Sequence, residues 1–256
     1  MRSVLEVPVG KDHSGTKIYC DLTKTSTTLI AGAQREKIEG CVNSMLFNIL
    51  RRKNSCEDVR LLIADTDGDS FCRYDGIPHL LKPRAVDASQ GIKMLEWTVA
   101  EMNRRIKLYR SDGCADIYGY NRRLGPSKAL PVILLVISDL ADLIRTDEKR
   151  IVDLLRDRPE MYWRSGVHML AVSSKLTSEE IGSDVLRNFL SRIAFRMESA
   201  EALQRLFYCE GDGGVSDNLD MLYCPLSYPR PVACKSVVVS DSKIAAFCDS
   251  LRQSIT

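Results

Sequence analysis

The stretch Gly32–Glu39 occupies the place of a phosphate-binding loop, between a short apolar run and a long amphipathic helical pattern. A working loop of this kind reads Gly-x-x-x-x-Gly-Lys-[Ser/Thr]. Its backbone N–H groups surround phosphate, its lysine reaches the β- and γ-phosphates, and its hydroxyl binds Mg²⁺. Counted from Gly32, the last three of these positions hold Lys37, Ile38 and Glu39. Lys37 is one residue early, which on a helix turns its side chain by about 100°. The stretch therefore fits either a shifted nucleotide site or an ordinary strand–turn–helix without a ligand.

A second candidate lies where the apolar run Pro131–Ile137 ends in Ser138 and Asp139. Nucleotide-hydrolysing folds place an Asp at the tip of a buried strand to hold Mg²⁺, and a following Glu usually orients the attacking water. Here the Asp position holds serine, and Asp139 keeps one carboxylate at the next position. Asp139 and Asp142 also fit the start of a helix, where the helix dipole stabilises acidic side chains. We favour that structural role.

Metal-binding or nucleophilic side chains form no other recognisable pattern. The three histidines, His13, His79 and His168, are isolated and lack metal-ligand spacing. The nine cysteines are scattered without a Cys-x-x-Cys pair, which favours reduced thiols in a cytosolic protein and no zinc site. A cluster of cations at the end of one helical pattern fits a solvated helix end that complements the dipole, with phosphate or subunit contact as the alternative. It comprises Arg104, Arg105, Lys107 and Arg110.

Alternation of apolar runs with helical patterns predicts an α/β fold, a mostly parallel central sheet with helices on both faces. The predicted strands are Thr28–Ala31, Val59–Ala64, Leu130–Ile137, Gly166–Ser173, Ser191–Phe195 and Val232–Val239. The predicted helices are Glu36–Arg51, Ser89–Tyr109, Leu140–Leu155, Ser178–Leu190, Ala200–Phe207 and Asp241–Gln253. Glycine-containing segments 112–128 and 209–218 are predicted to be loops. We expect residues 1–256 to form one domain, with residues 1–26 leading into a core of residues 27–256.

Composition limits the partners. A net charge of +2 does not demand a nucleic acid, so any basic surface must be local. No apolar run reaches the roughly 18 residues that span a bilayer, and residues 1–10 do not resemble a signal peptide. We expect a cytoplasmic protein without direct membrane insertion.

The chain as a whole resembles the RecA-like motor domain of the FtsK/SpoIIIE family, which has a P-loop NTPase fold. The most specific block is Glu57–Asp65 followed by Tyr74–Leu81. The Gly-Lys-Asp-x-x-Gly lead-in within Val7–Gly32 also matches. Further family blocks follow in order, at Gly40–Leu46, Leu95–Leu108, Gly119–Asn121, Asp139–Ile144, Ser165–Val172, Ser191–Phe195 and Asp220–Tyr223.

The departures from the family fall at the positions that its chemistry uses, so that the Walker A and Walker B motifs are degenerate. Ile38 and Glu39 replace the lysine and hydroxyl, and Ser138 and Asp139 replace the Asp-Glu pair. Further along, Ser173 stands at the glutamine that reads the γ-phosphate, and Trp163, followed by Arg164, at the trans-acting arginine. The Asp-Pro-Lys of the second strand's loop becomes Asp65-Thr66-Asp67.

These changes predict a pseudo-ATPase with no catalytic residue and no required cofactor, acting as an assembly or regulatory module. Its partner would be a second copy, or another FtsK-like motor in a hetero-ring. One alternative is an ATP-dependent DNA translocase with an unorthodox site, where Gly32, Lys37, Glu39 and Asp139 hold ATP and Mg²⁺. The other is a passive module that contacts duplex DNA through Arg122, Arg123 and Lys128. The low net charge and the lack of aromatic residues interleaved with basic ones make this second alternative weaker than the pseudo-ATPase interpretation.

Overall fold

The computed structural model describes residues 3–52, 55–156, 158–176, 181–208, 219–226 and 230–254. The strands are β1 (Glu6–Lys11), β2 (Lys17–Asp21), β3 (Thr27–Ala31), β4 (Val59–Ala64), β5 (Val132–Ile137), β6 (Val167–Ser173), β7 (Ser191–Ala194), β8 (Met221–Cys224) and β9 (Val232–Ser236). The helices are α1 (Leu22–Thr25), α2 (Arg35–Leu50), α3 (Ala88–Ser111), α4 (Ile117–Leu124), α5 (Leu140–Thr146), α6 (Glu148–Leu155), α7 (Pro159–Ser165), α8 (Ser183–Leu186), α9 (Ala200–Phe207) and α10 (Asp241–Gln253).

These strands form one mixed sheet in the order β2-β1-β9-β8-β7-β3-β6-β5-β4. The five strands from β7 to β4 are parallel. The remaining four extend the sheet by antiparallel pairing. The predicted α/β class is therefore confirmed, with an antiparallel extension beyond the parallel part. Because parallel strands all end at one edge, the carboxyl ends of β3 to β7 bring their following loops together.

Helices cover both faces of the sheet, as predicted. Along β5, side chains alternate between two cores: Val132, Leu134 and Val136 face one, while Ile133, Leu135 and Ile137 face the other. The first core packs against α2 and α10, and the second against α3, α5, α6 and α9. Burial on both faces explains why this strand shows no polar alternation in the sequence.

Several predicted elements have different bounds. The helix predicted over Leu140–Leu155 is two helices, because the extended backbone at Asp147 (φ −158°) ends α5, and its side chain caps α6 by accepting the Arg150 N–H. Of the helix predicted over Ser178–Leu190, residues 178–180 lie outside the described part, and only α8 is helical in the remainder. The strand predicted from residue 130 begins at Val132, because Pro131 has no N–H for a ladder bond. The strand predicted to residue 239 ends at Ser236.

The loop predicted over residues 112–128 was wrong, because it contains α4. Asp116 caps this helix by accepting the Gly119 N–H at 2.8 Å, and Gly125 ends it with φ +76°. Strands β1, β2 and β8 and helices α1 and α7 were not predicted either. The predicted glycine-rich turn over residues 209–218 lies outside the described residues. None of the described helices combines the length and apolar character that a bilayer crossing requires.

Candidate functional site

The turn between β3 and α2 is short. Strand β3 ends at Ala31 and α2 begins at Arg35, so only Gly32, Ala33 and Gln34 connect them. The Ala33 N–H, which a phosphate loop would direct at its ligand, donates to the Arg196 carbonyl at 2.8 Å. The helix therefore begins before the positions that would hold lysine and hydroxyl.

Gly32 has a packing role in this turn. A Cβ atom at Gly32 would lie 2.9 Å from the Phe195 Cβ and 3.3 Å from the Arg196 carbonyl oxygen, both just after β7. Only glycine allows β3 to end this close to its neighbour. The glycine that signals a phosphate loop in the sequence is thus explained by contact between two strand ends.

Ile38 and Lys37 point away from any shared ligand position. The Ile38 side chain is fully buried in the core beneath α2. The Lys37 side chain is 47% exposed, with its Nζ 4.0 Å from Asp220 Oδ2, just before β8. In the sheet, β8 lies two strands from β3 on the side opposite to β5, which carries Asp139 at its end. Lys37 and Asp139 therefore do not converge on one ligand.

Asp139 is the N-cap of α5, which agrees with the structural role expected from the sequence. Its Oδ1 accepts the Ala141 N–H at 3.0 Å, and its Oδ2 accepts the Ser174 hydroxyl at 2.7 Å. Burial raises the pKa of Asp139, and the hydrogen bond from Ser174 opposes that rise. Both carboxylate oxygens therefore have protein partners. The bond from Ser174 connects the end of β5 to the end of β6.

Ser138 ties the end of β5 to the end of β4. Its hydroxyl accepts the Thr66 N–H at 2.8 Å, and the Thr66 hydroxyl donates to Asp142 Oδ2 at 2.8 Å. Ser173, at the end of β6, is fully buried and donates to the Lys175 carbonyl. Hydrogen bonds between neighbouring strand ends thus run from β6 through β5 to β4.

The loop after β4 is also bonded to the first turns of α2. Arg35 donates to Glu39 at 2.6 Å and to the Ser70 hydroxyl at 2.8 Å, and it forms an ion pair with Asp67. The Ser70 hydroxyl donates to Glu39 at 2.8 Å. The hydrogen bond to Glu39 raises the pKa of Arg35. Glu39, the residue that the sequence predicts at the position of the Mg²⁺-binding hydroxyl, therefore bonds to the loop after β4.

The buried side chain of Arg84 also bonds to the loop after β4. Arg84 donates to Asp65 Oδ2 at 2.8 Å, to the Gly68 carbonyl at 2.6 Å, and through two nitrogens to Asp75 at 3.0 and 2.9 Å. Asp65 is fully buried at the end of β4; burial raises its pKa, and the Phe71 N–H and Arg84 oppose the rise. This network fixes the path of residues 65–70 toward α2.

Comparison with known proteins identifies the family. The FtsK/SpoIIIE family model matches residues 1–208. The chain belongs to the FtsK/SpoIIIE family. The DNA translocase FtsK of Caldanaerobacter subterraneus subsp. tengcongensis is 27% identical over 252 residues, which is 98% of this chain and 35% of that protein. The chain spans about a third of the length of the curated relatives it matches.

Solved structures show the same RecA-like P-loop ATPase fold. The pCW3 conjugation coupling protein TcpA, in its monomer form with ATPγS, superimposes with a TM-score of 0.79 at 20% identity over 98% of this chain and 72% of that one. EssC (ATPases 2 and 3) from Geobacillus thermodenitrificans gives a TM-score of 0.80 at 13% identity over 99% of this chain and 50% of that one. At these identities the likeness shows the fold alone, and the predicted RecA-like architecture is confirmed.

The residues that the sequence predicts at the position of the family's trans-acting arginine lie at the other edge of the sheet. Trp163 and Arg164 are on α7, which precedes β6, and Arg164 pairs with Glu160 on the same helix at 2.6 Å. The Trp163 ring lies 6.0 Å from that of Tyr118 on α4. Three exposed residues near the amino end of β5 are the suggested DNA contacts. They are Arg122 and Arg123 on α4 and Lys128 just after that helix.

The expectation of a fully solvated basic helix end was wrong for Arg105. This side chain is 4% exposed and donates to Glu101 at 2.8 Å, to the Pro131 carbonyl at 2.8 Å and to the Ser165 carbonyl at 3.3 Å. It joins α3 to the start of β5 and the end of α7. Arg105 can be buried on α3 because the carbonyls of Pro131, just before β5, and Ser165, at the end of α7, accept hydrogen bonds from its guanidinium.

The structure thus places Glu39, Ser138 and Asp139 at the carboxyl ends of the parallel strands, each already bonded to a protein group. Lys37 lies at the same edge but beside Asp220 near β8, whereas Trp163 and Arg164 lie on α7 at the opposite edge. Sequence reasoning missed Arg35, Ser70 and Ser174, which bond to Glu39 and Asp139, and also Arg84, which bonds to Asp65. The only sequence signal was the density of polar residues after each apolar run, which does not indicate which of them pair.

Proposed function

We propose that this chain is a member of the FtsK/SpoIIIE family that has lost ATP hydrolysis and serves as an assembly or regulatory module. Residues 1–256 act as one unit in the cytoplasm, within a homo-oligomer or in a hetero-ring with a hydrolysing relative. The relatives are named DNA translocases; in the proposed assembly, ATP-driven movement of DNA belongs to the active partner. This chain contributes the arrangement of the subunits and the contacts between them.

The early start of α2 is the observation that carries the proposal. With Gly32–Gln34 as the whole connection, no loop remains to surround a phosphate, and Ile38 is buried where a lysine would reach out. Loss of that lysine removes a charged hydrogen bond worth roughly 1.5–3 kcal/mol. A missing trans-acting arginine lowers the rate by about 10³–10⁵.

The bonds between strand ends support the same conclusion. In a hydrolysing site, groups at the ends of these strands bind Mg²⁺ or orient water. Here Asp139 is bonded to Ser174, and Ser138 is bonded to Thr66. Glu39 is bonded to both Ser70 and Arg35. To contact these three side chains, a nucleotide or its Mg²⁺ would have to displace their protein partners.

The translocase alternative receives less support from the geometry. It needs Lys37 and Asp139 to act on the same triphosphate. Lys37 lies beside Asp220 near β8, whereas Asp139 caps α5 beyond β5, on the other side of β3. The passive duplex-binding alternative rests on Arg122, Arg123 and Lys128, all of which are exposed.

The test combines turnover, nucleotide binding and sizing of the purified chain, each with and without duplex DNA. We expect no hydrolysis and no Mg²⁺-ATP heat in calorimetry. Asp139→Asn, which keeps a capping oxygen, should behave as the parent chain does. Turnover near ~1 s⁻¹, the low end of ordinary enzymes, that Asp139→Asn abolishes would overturn the proposal. So would Mg²⁺-ATP binding that Lys37→Ala removes.

The assembly role has its own measurement. Mixed with a hydrolysing family member, the chain is expected to co-elute with it in size exclusion and to change that relative's ATPase rate. If the chain neither self-associates nor forms a mixed assembly, the assembly role fails even where loss of hydrolysis stands.

A further inference from the structure

Two aromatic rings share an exposed surface at the amino ends of β5 and β6. Tyr118 is 36% exposed and Trp163 is 38% exposed, with ring centroids 6.0 Å apart and an interplanar angle of 41°. Asn121 on α4 bonds both the N–H and the carbonyl of Leu130 at 2.9 Å, which fixes α4 against the strand entrance. The rings are therefore held on packed elements at the surface.

Exposed cations lie on and just after α4, the helix that carries Tyr118. Arg122 lines the same shallow groove as Tyr118, together with Asn121, Gly125 and Pro126, and the groove has a volume of about 570 Å³. Arg123 and Lys128 are exposed nearby. Within the described residues, no acidic side chain forms an ion pair with Arg122 or Lys128. The surface is thus both aromatic and positively charged, although the sequence does not interleave the two residue types.

We propose that this surface, formed by Tyr118, Trp163, Arg122 and Lys128, binds single-stranded nucleic acid. Unpaired bases stack on the two rings, and Arg122 and Lys128 contact the phosphates. Stacking of a base on an aromatic side chain contributes roughly 1–3 kcal/mol and tolerates any sequence. The site lies at the edge of the sheet opposite the degenerate nucleotide site, so it goes beyond the proposed loss of hydrolysis and does not depend on it.

The rings favour a single strand over a duplex. In a duplex, each base face is covered by its neighbours, so surface rings have nothing to stack on. Cations alone suffice for duplex phosphates. An exposed tyrosine–tryptophan pair beside a groove matches a ligand that carries free base faces together with negative charge, which describes a single strand.

The experiment titrates the full chain into a labelled oligothymidine strand and follows fluorescence anisotropy at ~50 and ~200 mM salt. We expect binding that weakens as salt rises. Trp163→Ala should weaken it by roughly 5- to 100-fold, and Trp163→Phe should retain much of the affinity because a ring remains. Arg122→Ala should weaken binding and lower the salt slope by about 1. Matched controls are Lys149→Ala, an exposed lysine on α6, and Trp97→Phe, whose ring packs under Lys82.

Three outcomes would overturn the proposal. The first is no single-strand binding by the parent chain at low salt. The second is equal binding of duplex and single strand that Trp163→Ala leaves unchanged, which assigns the cations to passive duplex contact. The third is a change of oligomeric state in Trp163→Ala without loss of nucleic-acid binding, which makes the surface a contact between subunits. Unchanged melting temperatures of the variants would exclude unfolding as the cause of lost binding.

Discussion

The burial of Ile38 predicts that a lysine at this position does not create a phosphate site. The Ile38 side chain is fully buried beneath α2, so a lysine there would place an unpaired charge in the core. We expect Ile38→Lys to lower the free energy of unfolding by about 3–5 kcal/mol without creating Mg²⁺-ATP binding. Ile38→Leu should cost less than about 1.5 kcal/mol. Urea unfolding and calorimetry measure both quantities; a folded Ile38→Lys chain that binds Mg²⁺-ATP would contradict the packing argument.

His168 gives the protein a dependence on pH. It is fully buried on β6, and burial lowers its pKa from 6.5 to about 4, with Asp21 opposing and Arg105 reinforcing the shift. Between these two values the unfolded chain binds a proton that the folded chain excludes. The contribution of neutral His168 to the free energy of unfolding is therefore fully present above pH 6.5. It is lost as pH falls toward 4, by up to about 3 kcal/mol.

Urea unfolding at pH 7 and pH 4.5 checks this expectation. Relative to the parent, His168→Leu should lose about 2–3 kcal/mol less between the two pH values. His13→Gln, at an exposed position, should follow the parent. An identical loss in all three chains would assign the pH dependence to other groups.

At the level of elements, the loop after β4 depends on Arg84. This arginine, 6% exposed, is the cation beside the fully buried Asp65 and holds Asp75 as well. Arg84→Ala would leave Asp65 as an uncompensated buried charge, which typically costs about 3–5 kcal/mol. The double change Arg84→Met with Asp65→Asn should recover part of that loss, because neither charge remains.

Thermal and urea unfolding of the single and double variants measure this coupling. Arg187→Ala provides the matched control, because its ion pair with Asp184 is exposed and such pairs contribute less than about 1 kcal/mol. If Arg84→Ala is as mild as Arg187→Ala, the network does not hold the loop.

Across the whole molecule, the long apolar patterns were the predictable part. β4 was predicted with its observed bounds, and β5 and β6 to within two residues, because strands buried on both faces are mostly apolar. The short strands β1, β2 and β8 lack such a run, and pairing with other strands holds them in the sheet: β2 with β1, β1 also with β9, and β8 with β7 and β9. At the site, the capping role of Asp139 followed from local sequence. Its bond to Ser174 and the bond from Ser70 to Glu39 cross 35 and 31 residues, which local patterns do not reveal.

Pairing of β1 with β9 makes β1 and β2 of the lead-in segment part of the sheet, which leads to a prediction for the whole chain. Gly10 and Lys11 pair with Ser236 and Lys235, and five apolar side chains of this segment are buried: Leu5, Val7, Val9, Cys20 and Leu22. Each buried aliphatic side chain contributes about 1.5–3 kcal/mol, against a total stability of about 5–15 kcal/mol for a typical protein. Residues 27–256 alone should therefore lack a cooperative thermal transition in circular dichroism. Lys17→Ala, exposed on β2, should melt as the parent does. A truncated chain with the parent's melting temperature would show that the lead-in is a separate unit.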